Sequence, residues 1–223
     1  MPSKIQHNNL AQFFSLLNAK EIQAISENSF EIHYKAGDIL FKENTPITHL
    51  IYIKTGLVKL CKIRYDKTVI LKIIVPLNYI GLLSVMGNNV YDFSAVAISE
   101  LDVYVINVDI FKKIICKNNR YLMDVFSHVC CDGLSIIDNL ISINHKQLPG
   151  RIADVLLYFM QIYNSQTFIF PLSRRELAQF AGTSKESFIR TLTEFKNDKI
   201  IEMEYRNIHI NSLDILEKLS KFG

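Results

Sequence analysis

Apolar positions along this chain follow two periods. Over residues 30–106 they fall in short runs or alternate with polar positions: 30–34, 39–42, 49–54, 57–64, 68–75, 93–98 and 101–106. A side-chain period of two predicts strands. Turn signals separate the runs: Ala36-Gly37-Asp38, Thr45-Pro46, Thr55-Gly56, Tyr65-Asp66-Lys67 and Gly87-Asn88-Asn89. Short strands at this spacing predict a closed antiparallel β-structure. Before them, Leu10, Phe13, Phe14, Leu17, Ile22 and Ile25 recur at helical spacing and predict one or two short helices over residues 10–30.

Beyond the strands the period lengthens. Leu122, Phe126, Val129, Gly133, Ile136, Leu140 and Ile143 step by 4, 3, 4, 3, 4 and 3. That is a heptad seam, and it predicts a long helix that pairs with a second copy. Gly133 weakens a helix by about 1 kcal/mol relative to Ala, so its place in the seam suggests close approach of two backbones or of a ligand. Leu148-Pro149-Gly150 breaks the helix and marks a domain boundary.

The last third is a compact set of short elements. Residues 150–163 form an amphipathic helix and 168–170 a strand. Ser173-x-x-Glu176 is a capping box opening a helix through Phe180. Ala181-Gly182-Thr183 is a turn, and Thr183-x-x-Glu186 opens a helix to about Lys196. Strands 200–204 and 207–211 and a helix over 213–219 follow. Two capped helices around a Gly turn, then a small hairpin, predict a winged helix-turn-helix.

On the second of those helices Phe188, Leu192 and Phe195 form the core side, and Lys185, Glu186, Ile189, Arg190 and Thr193 the other. These side chains suit base edges. Arg190 can donate twice to guanine, Lys185 can donate to guanine, Glu186 can accept from cytosine N4, and Ile189 can meet a thymine methyl. Ser173, Arg174 and Ser184, with the helix N-termini, are placed for phosphates.

Composition adds little to this picture. The chain has 223 residues, a formal net charge of +3 and 49% apolar residues, so it is globular. From Gly150 onward ten Lys/Arg face nine Asp/Glu. Nucleic-acid binding therefore has to rest on local arrangement. Cys61, Cys116, Cys130 and Cys131 form no CxxC pair. That argues against a zinc or disulfide framework and fits a reducing cytoplasm. No apolar run is long enough to span a bilayer, and no metal site is expected. A cupin-type enzyme would need His-x-His with further ligands. His33 is followed by Tyr34-Lys35 and His49 by Leu50-Ile51, so no enzyme is expected.

From Tyr34 to Leu219 the chain resembles the bacterial Crp/Fnr transcription regulators. The resemblance rests on AGD (36–38), YIKTG (52–56), YIG (79–81), LPGRIADVLL (148–157) and, most specifically, LSRRELAQFAGTSKESFIRTL (172–192). It implies an α+β chain of three parts. Residues 1–116 would carry a β-roll sensor (a double-stranded β-helix, cyclic-nucleotide-binding-like), 117–147 a dimerisation helix and 148–223 the winged helix-turn-helix. It also implies a homodimer on an inverted repeat of TGTGA or TTGAT type, with RNA polymerase as a further partner. Glu186 and Arg190 match the family's reading residues, and Lys185 replaces an arginine found in some members.

The sensor departs from the pattern. Cyclic-nucleotide-binding members carry Gly-Glu and Arg-Ser where this chain has Gly81-Leu82 and Phe93-Ser94. Their purine-reading Thr-Ser pair falls near Ile136-Ile137. A phosphate buried without a cation is disfavoured, so cyclic AMP is not the expected effector. No cysteine precedes Cys61, which argues against the family's iron–sulfur cluster. Haem, which some family members bind, is the alternative, with His33, His49 or His128 as ligand; Cys130 and Cys131 could serve as a thiol sensor but are expected to be small hydrophobes on a packed helix.

Overall fold

The computed structural model describes residues 15–65 and 67–223; predicted helix positions Leu10, Phe13 and Phe14 and the turn residue Asp66 lie outside them. The fold is α+β and divides into two compact units. One holds the described residues through Lys62 together with Lys72–Ile136; the other holds Ile63–Leu71 and Ile137–Gly223.

The first unit is a β-roll with helices. Helix α1 (Ala19–Glu27) starts at a reciprocal cap: Asn18 Oδ1 accepts from the Lys20 and Glu21 amides, and the Glu21 carboxylate accepts from the Asn18 amide. Strands β1 (Ser29–Tyr34), β3 (His49–Thr55), β6 (Tyr79–Ile80) and β8 (Leu101–Asn107) form a sheet in the order β1-β8-β3-β6. Strands β2 (Ile39–Phe41), β4 (Val58–Arg64), β5 (Lys67–Ile74) and β7 (Ser94–Ala97) form the other, in the order β2-β7-β4-β5. The registered pairs are antiparallel.

Strands β3 and β8 are buried on both faces. Leu50, Tyr52, Tyr104 and Ile106 share one cluster with Ile25, Phe111, Tyr121 and Val125. Ile51, Ile53, Val103 and Val105, on the opposite face, are buried too. Burial on both sides is why these segments read as nearly unbroken apolar runs.

Two helices in this unit escape the apolar pattern. Helix α2 (Leu82–Gly87) is too short to display a period. Helix α3 (Val108–Ile115) is capped by Asn107, whose Oδ1 accepts from the Asp109 and Ile110 amides.

Helix α4 (Asn119–His145) is continuous across the two units. Only Lys146 and Gln147 separate it from α5 (Leu148–Tyr163), which has Gln147 as N-cap and Pro149 in its first turn. The predicted break at Leu148-Pro149-Gly150 is therefore corrected: these residues begin a helix, because the first-turn amide that Pro lacks has no intrahelical partner anyway. Within α4, the residues from Ile137 onward belong to the second unit.

The second unit continues with β9 (Thr167–Ile169), α6 (Arg174–Phe180), α7 (Lys185–Asn197), β10 (Ile201–Glu204), β11 (Asn207–Ile210) and α8 (Leu213–Phe222). Its antiparallel sheet has the order β10-β11-β9. Among the described residues no helix is long and apolar enough to cross a membrane.

Candidate nucleic-acid interface

Helices α6 and α7 present the predicted reading surface. The Ser173 amide and hydroxyl both donate to Glu176 Oε2, at 2.8 and 2.7 Å, and the Glu176 amide returns a bond to Ser173 Oγ. Gly182 takes φ +62° in the turn, with the Gly182 and Thr183 amides closing back on Gln179 O and Ala178 O. The cap of α7 is Ser184, whose Oγ accepts from the Ser187 amide at 3.1 Å. This corrects the T-x-x-E reading by one residue, because the Ser184 backbone is already extended where a cap must be.

Phe188, Thr191, Leu192 and Phe195 are the buried side of α7. Lys185, Glu186, Ile189, Arg190 and Thr193 are all exposed on the other side, as expected. The Thr193 hydroxyl donates to Ile189 O at 2.9 Å, so it has only its oxygen lone pairs to offer a base. Ser173 and Ser184 serve first as caps.

Arg174 differs from expectation. Its guanidinium lies over the Phe170 ring at 5.4 Å and donates to Tyr205 O and to Met203 Sδ. Burial, then repulsion from Arg206, holds its pKa below the ordinary arginine value. Arg174 therefore supports the β10–β11 hairpin instead of reaching out to a phosphate. Its neighbour Arg175 is exposed. At the hairpin tip Tyr205 is 91% exposed with φ +51°, beside exposed Arg206. The sequence placed Tyr205-Arg206 as the turn of this hairpin but named neither as a site residue.

The predicted seam on α4 splits. Leu122 and Val129 pack on the core of the β-roll unit, and Ile143 packs at Gly182. Phe126 and Leu140 are exposed, together with Met123, Leu134, Ile137 and Ile141. Ile136 is half-buried. A Cβ at Gly133 would meet nothing within 4 Å. The apolar face left uncovered is therefore rotated about 80° from the predicted seam at 100° per residue. Cys116, Cys130 and Cys131 are exposed, so the last two are not packed hydrophobes, and Cys61 is buried.

Comparison with known proteins agrees with this arrangement. The cyclic nucleotide-binding domain model matches residues 31–118 and the Crp-like helix-turn-helix domain model residues 150–219. The chain belongs to the Crp/Fnr family. It is 23% identical to a CRP-like cAMP-activated global transcriptional regulator of Mycobacterium tuberculosis over 217 residues, 95% of this chain and 97% of that one. It is 25% identical to the transcriptional activator protein anr of Pseudomonas aeruginosa, covering 85% and 79%. The solved structure of FixK2 from Bradyrhizobium japonicum superposes with a TM-score of 0.79 at 19% identity, covering 86% and 96%. This Crp/Fnr protein is thus a transcription regulator with a helix-turn-helix DNA-binding domain, and not an enzyme.

Gly81, Leu82, Phe93 and Ser94 of the predicted effector pocket lie within the span matched by the cyclic nucleotide-binding domain model. Here Gly81 has φ +85°, and a Cβ on it would stand 3.0 Å from the Tyr91 ring and 3.5 Å from Phe41. Phe41 stacks on Tyr91 at 3.6 Å between centroids, with Phe93 at 6.3 Å from Phe41. Leu82, Tyr91 and Phe93 are buried. The Tyr91 hydroxyl donates to His49 O at 2.6 Å, and burial pushes its pKa up to about 12. Ser94 Oγ accepts from the Glu43 amide at 3.0 Å. Of the predicted pocket residues, Gly81 and Phe93 lie beside the Phe41–Tyr91 pair, Leu82 joins the core cluster of Tyr52, Tyr79 and Phe111, and Ile137 is exposed on α4.

The three candidate haem ligands have different partners. His33 bonds Glu100 and Asp102, His49 bonds Thr48, and His128 meets the edge of the Tyr79 ring. Hydrogen bonds to Asp102 and Glu100 raise the pKa of His33. Among the described residues no group of three or more His, Cys, Asp or Glu is arranged to hold a metal ion.

Proposed function

We propose that this regulator acts as a homodimer that reads an inverted repeat, with the exposed side of α7 in the major groove of each half-site. The observation that carries this is the row Lys185, Glu186, Ile189 and Arg190. These side chains stand free at the N-terminal end of a helix fixed by a cap, a glycine turn and a buried aromatic face. Arg190 and Lys185 pair with guanines and Glu186 with a cytosine. Arg175 and the hairpin tip at Arg206 take phosphates. The uncovered face of α4 is the dimer contact: it is a continuous apolar stripe, and two reading heads on a two-fold axis need one.

The β-roll takes no cyclic nucleotide. The reading is supported by the aromatic rings of Phe41 and Tyr91 stacked beside Gly81, with Phe93, which the resemblance sets at the family's phosphate-binding arginine, 6.3 Å from Phe41.

Selection from random duplexes with the purified protein, at a stated salt concentration, tests the reading. The expected product is an inverted repeat with centres one helical turn apart, about 34–36 Å. Arg190→Ala should weaken binding by about 1–3 kcal/mol and relax preference at one base pair in each half-site. An unchanged preference would remove α7 from the groove.

A further inference from the structure

Gln147, the N-cap residue of α5, makes no side-chain capping bond. The end of α4 is instead held by one carboxylate on α5. Asp154 Oδ2 accepts from the Ser142 hydroxyl and from Lys146 Nζ, at 2.5 and 2.8 Å. Its Oδ1 accepts from Lys146 Nζ and from the Ser220 hydroxyl of α8, at 2.8 and 2.5 Å. Ser142 lies in the last turn of α4, and Lys146 is the first residue after it. Both carboxylate oxygens of Asp154 are thus engaged, by donors from α4, from the linker and from α8.

Two further contacts carry this joint to the reading helix. Ile143, beside Ser142, lies against the turn that precedes α7; a Cβ on Gly182 would stand 2.8 Å from Ile143 Cγ2. Arg151, three residues before Asp154 on α5, donates from Nη1 to Ala181 O at 3.1 Å and to Gly182 O at 2.8 Å. The last turns of α4, the start of α5 and the turn before α7 are therefore fastened as one piece.

We propose that Asp154 is a positioning residue for operator recognition: it locks the end of the dimer helix to the reading head and so selects the spacing between half-sites. This rests on the dimeric reading given above. It differs from a hinge at the linker, because the bonds run across the linker and stiffen it. One added base pair moves a half-site by about 3.4 Å and roughly a tenth of a turn, and a rigid head cannot follow that displacement.

The test uses the full-length protein, the selected inverted repeat, versions with the spacer lengthened or shortened by one and two base pairs, and a single half-site. Wild type should favour one spacing by at least about tenfold over its neighbours, since mismatched positions cost on that order. Asp154→Ala should keep the half-site sequence and the single half-site affinity, yet bind all spacings within about threefold of one another. Asp154→Glu, which keeps the charge and two acceptors, should recover part of the preference. Where Asp154→Ala does not fold, Ser142→Ala combined with Lys146→Met removes the same bonds from the α4 side and should flatten the preference in the same way. Wild-type spacing preference retained in a folded variant overturns the role of Asp154 alone. A wild type that gains nothing from a second half-site overturns the dimeric reading, and this inference with it.

Discussion

Gly182 shows how much one residue carries. Its φ of +62° is a left-handed conformation, and the space a side chain would occupy is taken by Ile143. Gly182→Ala should therefore lose about 1–2 kcal/mol to the backbone and about 1–3 kcal/mol to crowding. A clearly lowered midpoint in thermal unfolding is the expected result; an unchanged midpoint would mean the turn relaxes freely. The glycine itself was legible in the sequence as the turn between two capped helices. Its crowding was not, because Ile143 lies 39 positions earlier and read as part of a dimer seam. Arg174 was misread for the same reason. An arginine at a helix N-terminus suggests a phosphate, but its actual acceptor, Tyr205 O, is 31 residues away and is a backbone atom that no side-chain pattern announces.

At the scale of elements, α4 makes two apolar demands at once. Tyr121, Leu122, Val125 and Val129 face the core of the β-roll unit, while Met123, Phe126, Leu134, Ile137, Leu140 and Ile141 remain uncovered. A heptad count over such a helix settles on the positions between the two arcs, and so the predicted seam combined members of both. Leu140 belongs to the uncovered arc under either description. Leu140→Asp places a charge where burial against a second helix would leave it without a partner. Light scattering should then show monomers, with the circular dichroism of the folded chain retained. A persisting dimer would move the interface off α4. Elsewhere the longer strands were legible because alternation and turn residues agree; β6 (Tyr79–Ile80) and α2 were not, because two and six residues cannot show a period. The helix-turn-helix was legible because two N-terminal caps bracket one glycine turn.

For the whole molecule, what matters is whether DNA reading waits on a ligand in the β-roll. A cyclic nucleotide brings an anionic phosphate that must be met by a cation once it leaves water. Around Gly81 the chain offers instead the stacked rings of Phe41 and Tyr91, with Phe93 beside them and the Tyr91 hydroxyl already bonded to His49 O. The Ser94 hydroxyl is engaged by the Glu43 amide. Admitting cyclic AMP would mean unstacking buried rings, breaking the Tyr91 bond and burying a phosphate beside apolar groups, and each step is unfavourable. Titration calorimetry with cyclic AMP should therefore give no saturable heat, and the affinity for the selected operator should be the same with and without it. Micromolar binding would show that the stacked rings part and that a cation reaches the phosphate from another part of the chain. If the operator is bound tightly without the nucleotide, the family's reading head is working here with its β-roll filled by the protein's own side chains.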